Sequence, residues 1–309
     1  MLTYDTGINA KGRLSQVGDG SGITQYSYND LGQVSSKLTS ISGKSFKVSY
    51  LYNAAGQLIE FTQPSGRKVT LAHDIQGQVI GVSELKNGQQ QNLLTNVSYA
   101  PFSSAKSFTL GNNKTLAKTY ALNGQLSSID VDGVYQSQLI YNNDSQIIQL
   151  QNPQQPSLQQ DFSYDELNQL TQAYGSYGDL TYSYDSAGNR LNKTNNTQDA
   201  LLNYSTNSNQ LNTPYVHDAN GNLIKDNRRS YVYGENNRLS ETGNDLDGIK
   251  TTYLYNGLGQ RVKKSNIFGT SYFLYDENGL LIAEANANGT VIKEYVYFEG
   301  QPLVMLVGE

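Results

Sequence analysis

The sequence predicts an all-β protein, built of tandem antiparallel β-hairpin repeats joined in one continuous, strongly curved sheet. Three observations predict it. The composition is that of strands and tight turns: 24 Tyr and 29 Gly in 309 residues, with 16% charged side chains where about a quarter is usual. A motif, Tyr-x-Tyr-Asp/Asn-x-x-Gly, recurs as YSYNDLGQV from 26, YLYNAAGQL from 50, YSYDSAGNR from 182, YLYNGLGQR from 253 and FLYDENGLL from 273. Its steps are mostly about 20–24 residues, the length of two strands of about six residues and two turns.

Each part of the motif has a physical reading. Rings two residues apart in a strand share a face, which pairs Tyr26 with Tyr28, Tyr50 with Tyr52, Tyr182 with Tyr184 and Tyr253 with Tyr255, and places Tyr275 beside Phe273. Asp or Asn next in line, as at Asp185 and Asp276, bonds its own backbone and opens a turn. The glycine three residues on, as at Gly32, Gly56, Gly188, Gly259 and Gly279, takes the positive φ that the turn requires. The same slot is held by Gly12, Gly77, Gly124, Gly221 and Gly300, by Asn168, Asn209 and Asn237, and less closely by Ser103 and Ser145. Gln or Asn and then an aliphatic residue follow, and the next strand begins. Asn-Gly at 87, 123, 220, 256, 278 and 288 reads as type I′ turns at the opposite ends of the hairpins. The polar stretches QNPQQPSLQQ (151–160) and ELKNGQQQN (84–92) read as extended turns on one rim.

Other chemistries find little support. A net charge of −5 and the lone short basic run NRR (227–229) argue against nucleic acid as a partner. With no cysteine there are neither disulfides nor thiolate chemistry, and no apolar run suggests a membrane span or signal peptide. His73 and His217 stand where the repeat has its second tyrosine, so both read as structural. Asp218–Asn222 and Asp245–Gly248 contain calcium-loop fragments without the twelve-residue ligand order, and read as turns. No catalytic, cofactor or metal site is therefore expected.

The pattern Y-x-Y-[DN]-x-x-G-[QN]-[LVR] resembles the YD repeat of the Rhs family. That family includes bacterial polymorphic toxins, shell-forming components of insecticidal toxin complexes and, in animals, the teneurins. The resemblance runs from TYDTGINAKGRL at 3 to YVYFEGQPLVML at 295. It implies a spiral β-sheet closing as a hollow shell, and a C-terminal toxin or effector segment of the full-length protein as cargo and partner. It also implies export, to the outside or the surface of a bacterial cell. The closing segment looks like the last repeats before the family's C-terminal core, and none of that core's cleavage residues can be assigned here. The ends MLTYD and LVMLVGE suggest a piece of a longer protein.

Sheet geometry leads the same way. About thirty strands at about 4.8 Å make a sheet roughly 145 Å wide, and open twisted sheets rarely exceed about ten strands, so this one is expected to curl. Bent into one ring it is about 45 Å across and open at both ends, so sealing cargo takes more repeats. Tyrosine suits such a wall, with an apolar body to bury and a hydroxyl that needs a partner. Equivalent tyrosines lie about 9.6 Å apart, so a residue on the intervening strand must bridge them, the candidates being Val34, Leu58, Val79, Leu126, Leu170 and Leu223. Two functions follow: a structural shell around a toxin or effector polypeptide, and, alternatively, an adhesion module whose Tyr and amide rows bind cell-surface glycans.

Overall fold

The computed structural model describes residues 1–86, 88–101, 104–195 and 198–308. Asn87 of the first Asn-Gly pair and the marker Ser103 lie outside the described residues. Twenty-nine strands carry the described chain, with one 3₁₀ turn, Pro156–Leu158, inside the expected loop at 151–160. The chain divides into two compact units, Met1–Val97 with Asn222–Glu309, and Ser98–Gly221.

In the first unit, strands from Leu2–Tyr4 to Val79–Lys86 pair in sequence order, each antiparallel to the next. A second such run extends from Leu223–Lys225 to Gln301–Val307. The two runs share one core. Ile41, Phe46 and Val48 from the first meet Val262, Tyr272, Leu274, Ile282, Ala283 and Ala285 from the second, and the Phe46 and Tyr272 ring centroids lie 5.9 Å apart. Period-2 alternation explains the choice: Phe46, Val48 and Tyr50 fall on one face of Lys44–Tyr52, while Ser45, Lys47 and Leu51 between them are exposed. In Gly269–Tyr275 the in-between residues are also covered, because Tyr272 and Leu274 enter this core while Phe273 and Tyr275 are half-buried.

The second unit has its own ladder, from Ala105–Leu110 to Gln198–Leu201. Among its described residues only Ala105, Phe108, Ser137 and Ala173 are buried, and a strand such as Gly178–Tyr184 ends in plain half-buried/exposed alternation. The expected continuity lapses after Leu201. From there to Val216 the described pairing is a single bridge, Tyr204 with Leu211, in a stretch where Pro214 has no N–H to give a ladder.

Two sequence expectations are corrected. The stretch 84–92 is no extended turn: Val79–Lys86 and Gln89–Tyr99 pair down to Lys86 opposite Gln89, so its glutamines are strand residues. Four of the Asn-Gly pairs, at 123, 220, 256 and 278, sit in the same corners as the glycine markers, and Asn288-Gly289 alone of those described turns the opposite rim. At the marker corners the turn is a type I turn followed by a residue in the left-handed region, which inserts one extra residue, rather than a two-residue type I′ turn. The opposite rim does hold a two-residue turn of positive φ, at Ser42 (49°) and Gly43 (80°).

Candidate functional site

The repeat corner is the one arrangement the chain builds again and again. At residues 185–189 the Asp185 N–H donates to Asn189 O (2.9 Å) and Gly188 N–H to Asp185 O (3.0 Å). The Asp185 carboxylate completes the turn, its Oδ1 accepting from Ala187 N (2.9 Å) and Asn189 N (2.8 Å). Asn53 and Asp276 do the same in their corners. These hydrogen bonds, led by the one from the Asn189 side chain, hold the Asp185 carboxyl below its ordinary 3.8. Gly188 has φ 84°, Gly32 76°, Gly56 80°, Gly259 79° and Gly279 83°, and Ser145, Asn168, Asn209 and Asn237 at the same slot lie between 55° and 65°. The ladder register shifts by one residue just before each corner, as between Ser183 and Tyr184.

Tyrosines stand half-buried on these strands, and in six repeats the tyrosine in the second slot reaches back one repeat. Its hydroxyl donates to the main-chain carbonyl of the residue two places after the preceding marker: Tyr28 to Leu14 (2.6 Å), Tyr141 to Leu126 (2.9 Å), Tyr164 to Ile147 (2.8 Å), Tyr184 to Leu170 (2.9 Å), Tyr275 to Arg261 (2.9 Å) and Tyr297 to Leu281 (2.9 Å). The intervening strand thus bridges the tyrosines through its backbone. Burial, then the charge of Glu277, then Tyr28, pushes Tyr26 up to about 12, and burial first and Glu277 second raise Tyr50 and Tyr52 as well. Tyr255 lies with its ring centroid 5.8 Å from the Arg238 guanidinium, and Tyr253 likewise 5.7 Å from Arg261.

A second set of stitches escaped the sequence reading. The residue just after the marker crosses to the next corner: Arg13 Nε donates to Gly32 O (3.0 Å), Gln33 Nε2 to Gly56 O (2.8 Å), Gln146 Nε2 to Asn168 Oδ1 (2.9 Å) and Asn189 Nδ2 to Asn209 Oδ1 (2.6 Å). Glycine at the marker therefore answers two demands, positive φ and the close approach of this side chain. A Cβ on Gly259 would lie 1.9 Å from Arg238 Nη2, and one on Gly77 2.5 Å from Gln57 Nε2. The fixed place of Gln, Asn or Arg after the glycine was the available signal.

The other arrangement missed is a buried ion cluster between the two runs of the first unit. Arg67 pairs through Nη1 with Glu84 and through Nε with Glu294 (3.1 Å), and all three side chains are less than a tenth exposed. Ser65 also binds the Glu294 carboxylate, its N–H donating to Oε1 (3.1 Å) and its hydroxyl to Oε2 (2.7 Å), while Gln63 Nε2 donates to Tyr295 O (3.0 Å). Lys37, also buried, donates to Tyr275 O (3.2 Å) and pairs with Glu277 (3.2 Å). These groups clamp the runs together. Nothing about them suggests a nucleophile or a metal, and among the described residues no three His, Cys, Asp or Glu side chains converge as ligands.

The family comparison accords with this wall of repeats. The teneurin YD-shell family profile matches residues 1–129 and 122–305. The chain belongs to the teneurin YD-shell family. It is 33% identical to the tRNA nuclease WapA of Bacillus subtilis (strain 168) over 147 residues, which is 43% of this chain and 6% of WapA. The solved TcdB2-TccC3 structure matches with a TM-score of 0.77 at 16% identity, covering 99% of this chain and 22% of that one. The Tc holotoxin pore of Photorhabdus luminescens matches with a TM-score of 0.75, also at 16%, covering 97% of this chain and 21% of that one. At such identity the two structures show a common YD-shell fold, and the chain spans about a fifth of their length.

Proposed function

We propose that the chain is a stretch of shell wall that helps to enclose a toxin or effector polypeptide belonging to the same longer, exported protein. Membership of the YD-shell family supports it, as does likeness to a toxin component over almost the whole chain. The nuclease activity named for WapA belongs to that protein, of which the matched share is 6%. The observation that carries the reading is the use made of the repeat's polar groups. Second-slot tyrosine hydroxyls and the Gln, Asn or Arg after a marker bond to the neighbouring repeat, and corner Asp and Asn side chains close their own turns, so the motif that recurs is a motif for building wall.

The glycan alternative needs exposed rings with free hydroxyls, whereas Tyr28, Tyr184 and Tyr275 are half-buried or bonded to backbone. Limited proteolysis of the longer protein tests enclosure. The segment outside the repeats should be cut at least tenfold more slowly in the intact protein than when expressed by itself; equal rates would refute the proposal.

A further inference from the structure

Asparagine followed by glycine is the pair that most readily modifies itself in water, because glycine has no Cβ to keep its main-chain nitrogen away from the asparagine side-chain carbon. Five such pairs lie among the described residues, at Asn123, Asn220, Asn256, Asn278 and Asn288. In each the glycine N–H donates a hydrogen bond, so the corner must open before the nitrogen can attack: Gly124 to Ala121 O (2.9 Å), Gly221 to Asp218 O (3.1 Å), Gly257 to Asp19 Oδ2 (2.5 Å), Gly279 to Asp276 O (3.3 Å) and Gly289 to Asn286 O (2.9 Å). The pairs differ in what the asparagine side chain holds. Asn256 opens its own turn, accepting from Leu258 N (3.1 Å) and Gln260 N (2.9 Å) and donating to Gln260 Oε1 (2.8 Å). Asn123 stands in a corner opened by Ala121, which has no polar side chain to close it. Asn123 takes that part, accepting from Gln125 N (3.1 Å) and donating to Gln125 Oε1 (2.6 Å). Asn220 is not without a partner either. At Asn278 and Asn288 the opener is Asp276 or Asn286, whose Oδ1 accepts the N–H groups that close the turn. The exposed side chains of Asn278 and Asn288 are therefore left with no hydrogen-bond partner among the described residues.

We propose that Asn278 and Asn288 are self-modification sites, which convert to isoaspartate through a succinimide with water as the sole co-reactant. The Gly279 nitrogen attacks Asn278 Cγ, the new C–N bond closes a five-membered ring, and the bond from Cγ to the side-chain nitrogen breaks. Ammonia leaves with the proton that the glycine N–H gives up. Water then opens the ring: at Cγ it yields aspartate, and at the main-chain carbonyl it yields isoaspartate, which adds one carbon to the main chain. The same steps join Gly289 to Asn288. Each hydrogen bond that need not break makes the open corner about two- to tenfold more populated. These two sites therefore outrun Asn123 and Asn256, whose side chains must first release their own bonds. The consequences differ in reach. Corner 276–280 carries a clamp between the two runs, where Lys37 donates to Tyr275 O (3.2 Å) and Asp276 O (3.4 Å) and pairs with Glu277 (3.2 Å). Isoaspartate at 278 lengthens this corner and adds a charge beside Asp276 and Glu277, which loosens the clamp; at 288 the change falls on a turn of the opposite rim.

The test is to incubate the 309-residue chain in mildly alkaline buffer, folded and in urea, and to follow isoaspartate at each site by peptide mapping with mass spectrometry. Dividing each folded rate by the rate of the same site in urea removes the influence of flanking residues. The ratio should be at least about fivefold higher at Asn278 and Asn288 than at Asn123 and Asn256. Ala121→Asp gives that corner an acidic opener, and should free the Asn123 side chain and raise its ratio about two- to tenfold. In Asn288→Gln, where conversion is confined to 278, ageing should quicken amide exchange in Val34–Ile41, the strand of Lys37, and in Asn278→Gln it should not. Equal ratios at the four sites would overturn the proposal, as would an Asn123 ratio unmoved by Ala121→Asp. Faster exchange in aged Asn278→Gln than in aged Asn288→Gln would refute the link to the clamp.

Discussion

Replacing Arg67 by methionine puts the buried cluster to the sharpest test. Methionine keeps most of the side chain's length and removes its charge, so Glu84 and Glu294 are left facing one another with no cation between them. Ser65 still satisfies Glu294, but Glu84 loses its guanidinium partner. Breaking a buried ion pair from one side costs about 3–5 kcal/mol, because an uncompensated charge remains in the interior. For a unit of this size about 2–4 °C accompanies each kcal/mol, so the melting temperature should fall by about 6–20 °C. Thermal unfolding followed by far-ultraviolet circular dichroism measures the fall, and hydrogen exchange should locate it in Lys68–His73 and Val291–Phe298, the strands flanking the cluster. The triple variant Arg67→Met, Glu84→Leu, Glu294→Leu should recover most of the stability, since a well-packed apolar replacement removes the charge problem altogether. A shift under about 2 °C for the single variant, or a triple variant as unstable as the single one, would refute the reasoning.

Three further outcomes are expected. Gly259→Ala should destabilise more than Gly188→Ala: both pay about 1–2 kcal/mol for a Cβ at positive φ, but at 259 the new atom also displaces Arg238 from above Tyr255, whereas at 188 it meets Gln169 at 3.2 Å; equal melting shifts would contradict this. Tyr184→Phe should cost about 1 kcal/mol by orphaning the Leu170 carbonyl, and chemical denaturation with an unchanged m-value is the check. Because Tyr26 and Tyr295 are pushed from 10.0 up to about 12, the folded state holds their protons more tightly than the unfolded chain. The stability this gives is complete below pH 10 and is lost as the pH rises toward 12, so tyrosinate absorbance should appear together with unfolding; ionisation of all tyrosines near pH 10 in a still-folded protein would count against it. Glu284→Gln should bring Tyr295 back toward 10.0, since the hydrogen bond to Glu284 is second only to burial in raising it.

The corner and the strand ladder were legible in the sequence because each depends on neighbours in the chain. A left-handed φ at Gly188 and an Asp185 side chain closing on its own turn are settled within five residues, and alternation of Tyr182, Ser183 and Tyr184 needs only the pleat. The stretch 84–92 misled for a related reason: its polarity resembles a loop, yet amide side chains on the exposed side of a pleat are as compatible with a strand. What the sequence by itself could not decide is which of its strands come to lie on one another. Arg67 and Glu294 are 227 residues apart, and Lys37 and Tyr275 are 238. In the linear text Arg67 is another charge beside a turn glycine, as exposed in prospect as Arg190; it is buried because the run carrying Glu294 covers it. Short-range sterics and hydrogen bonding fix the repeat, whereas burial and charge pairing are properties of surfaces that exist only once the two runs have met.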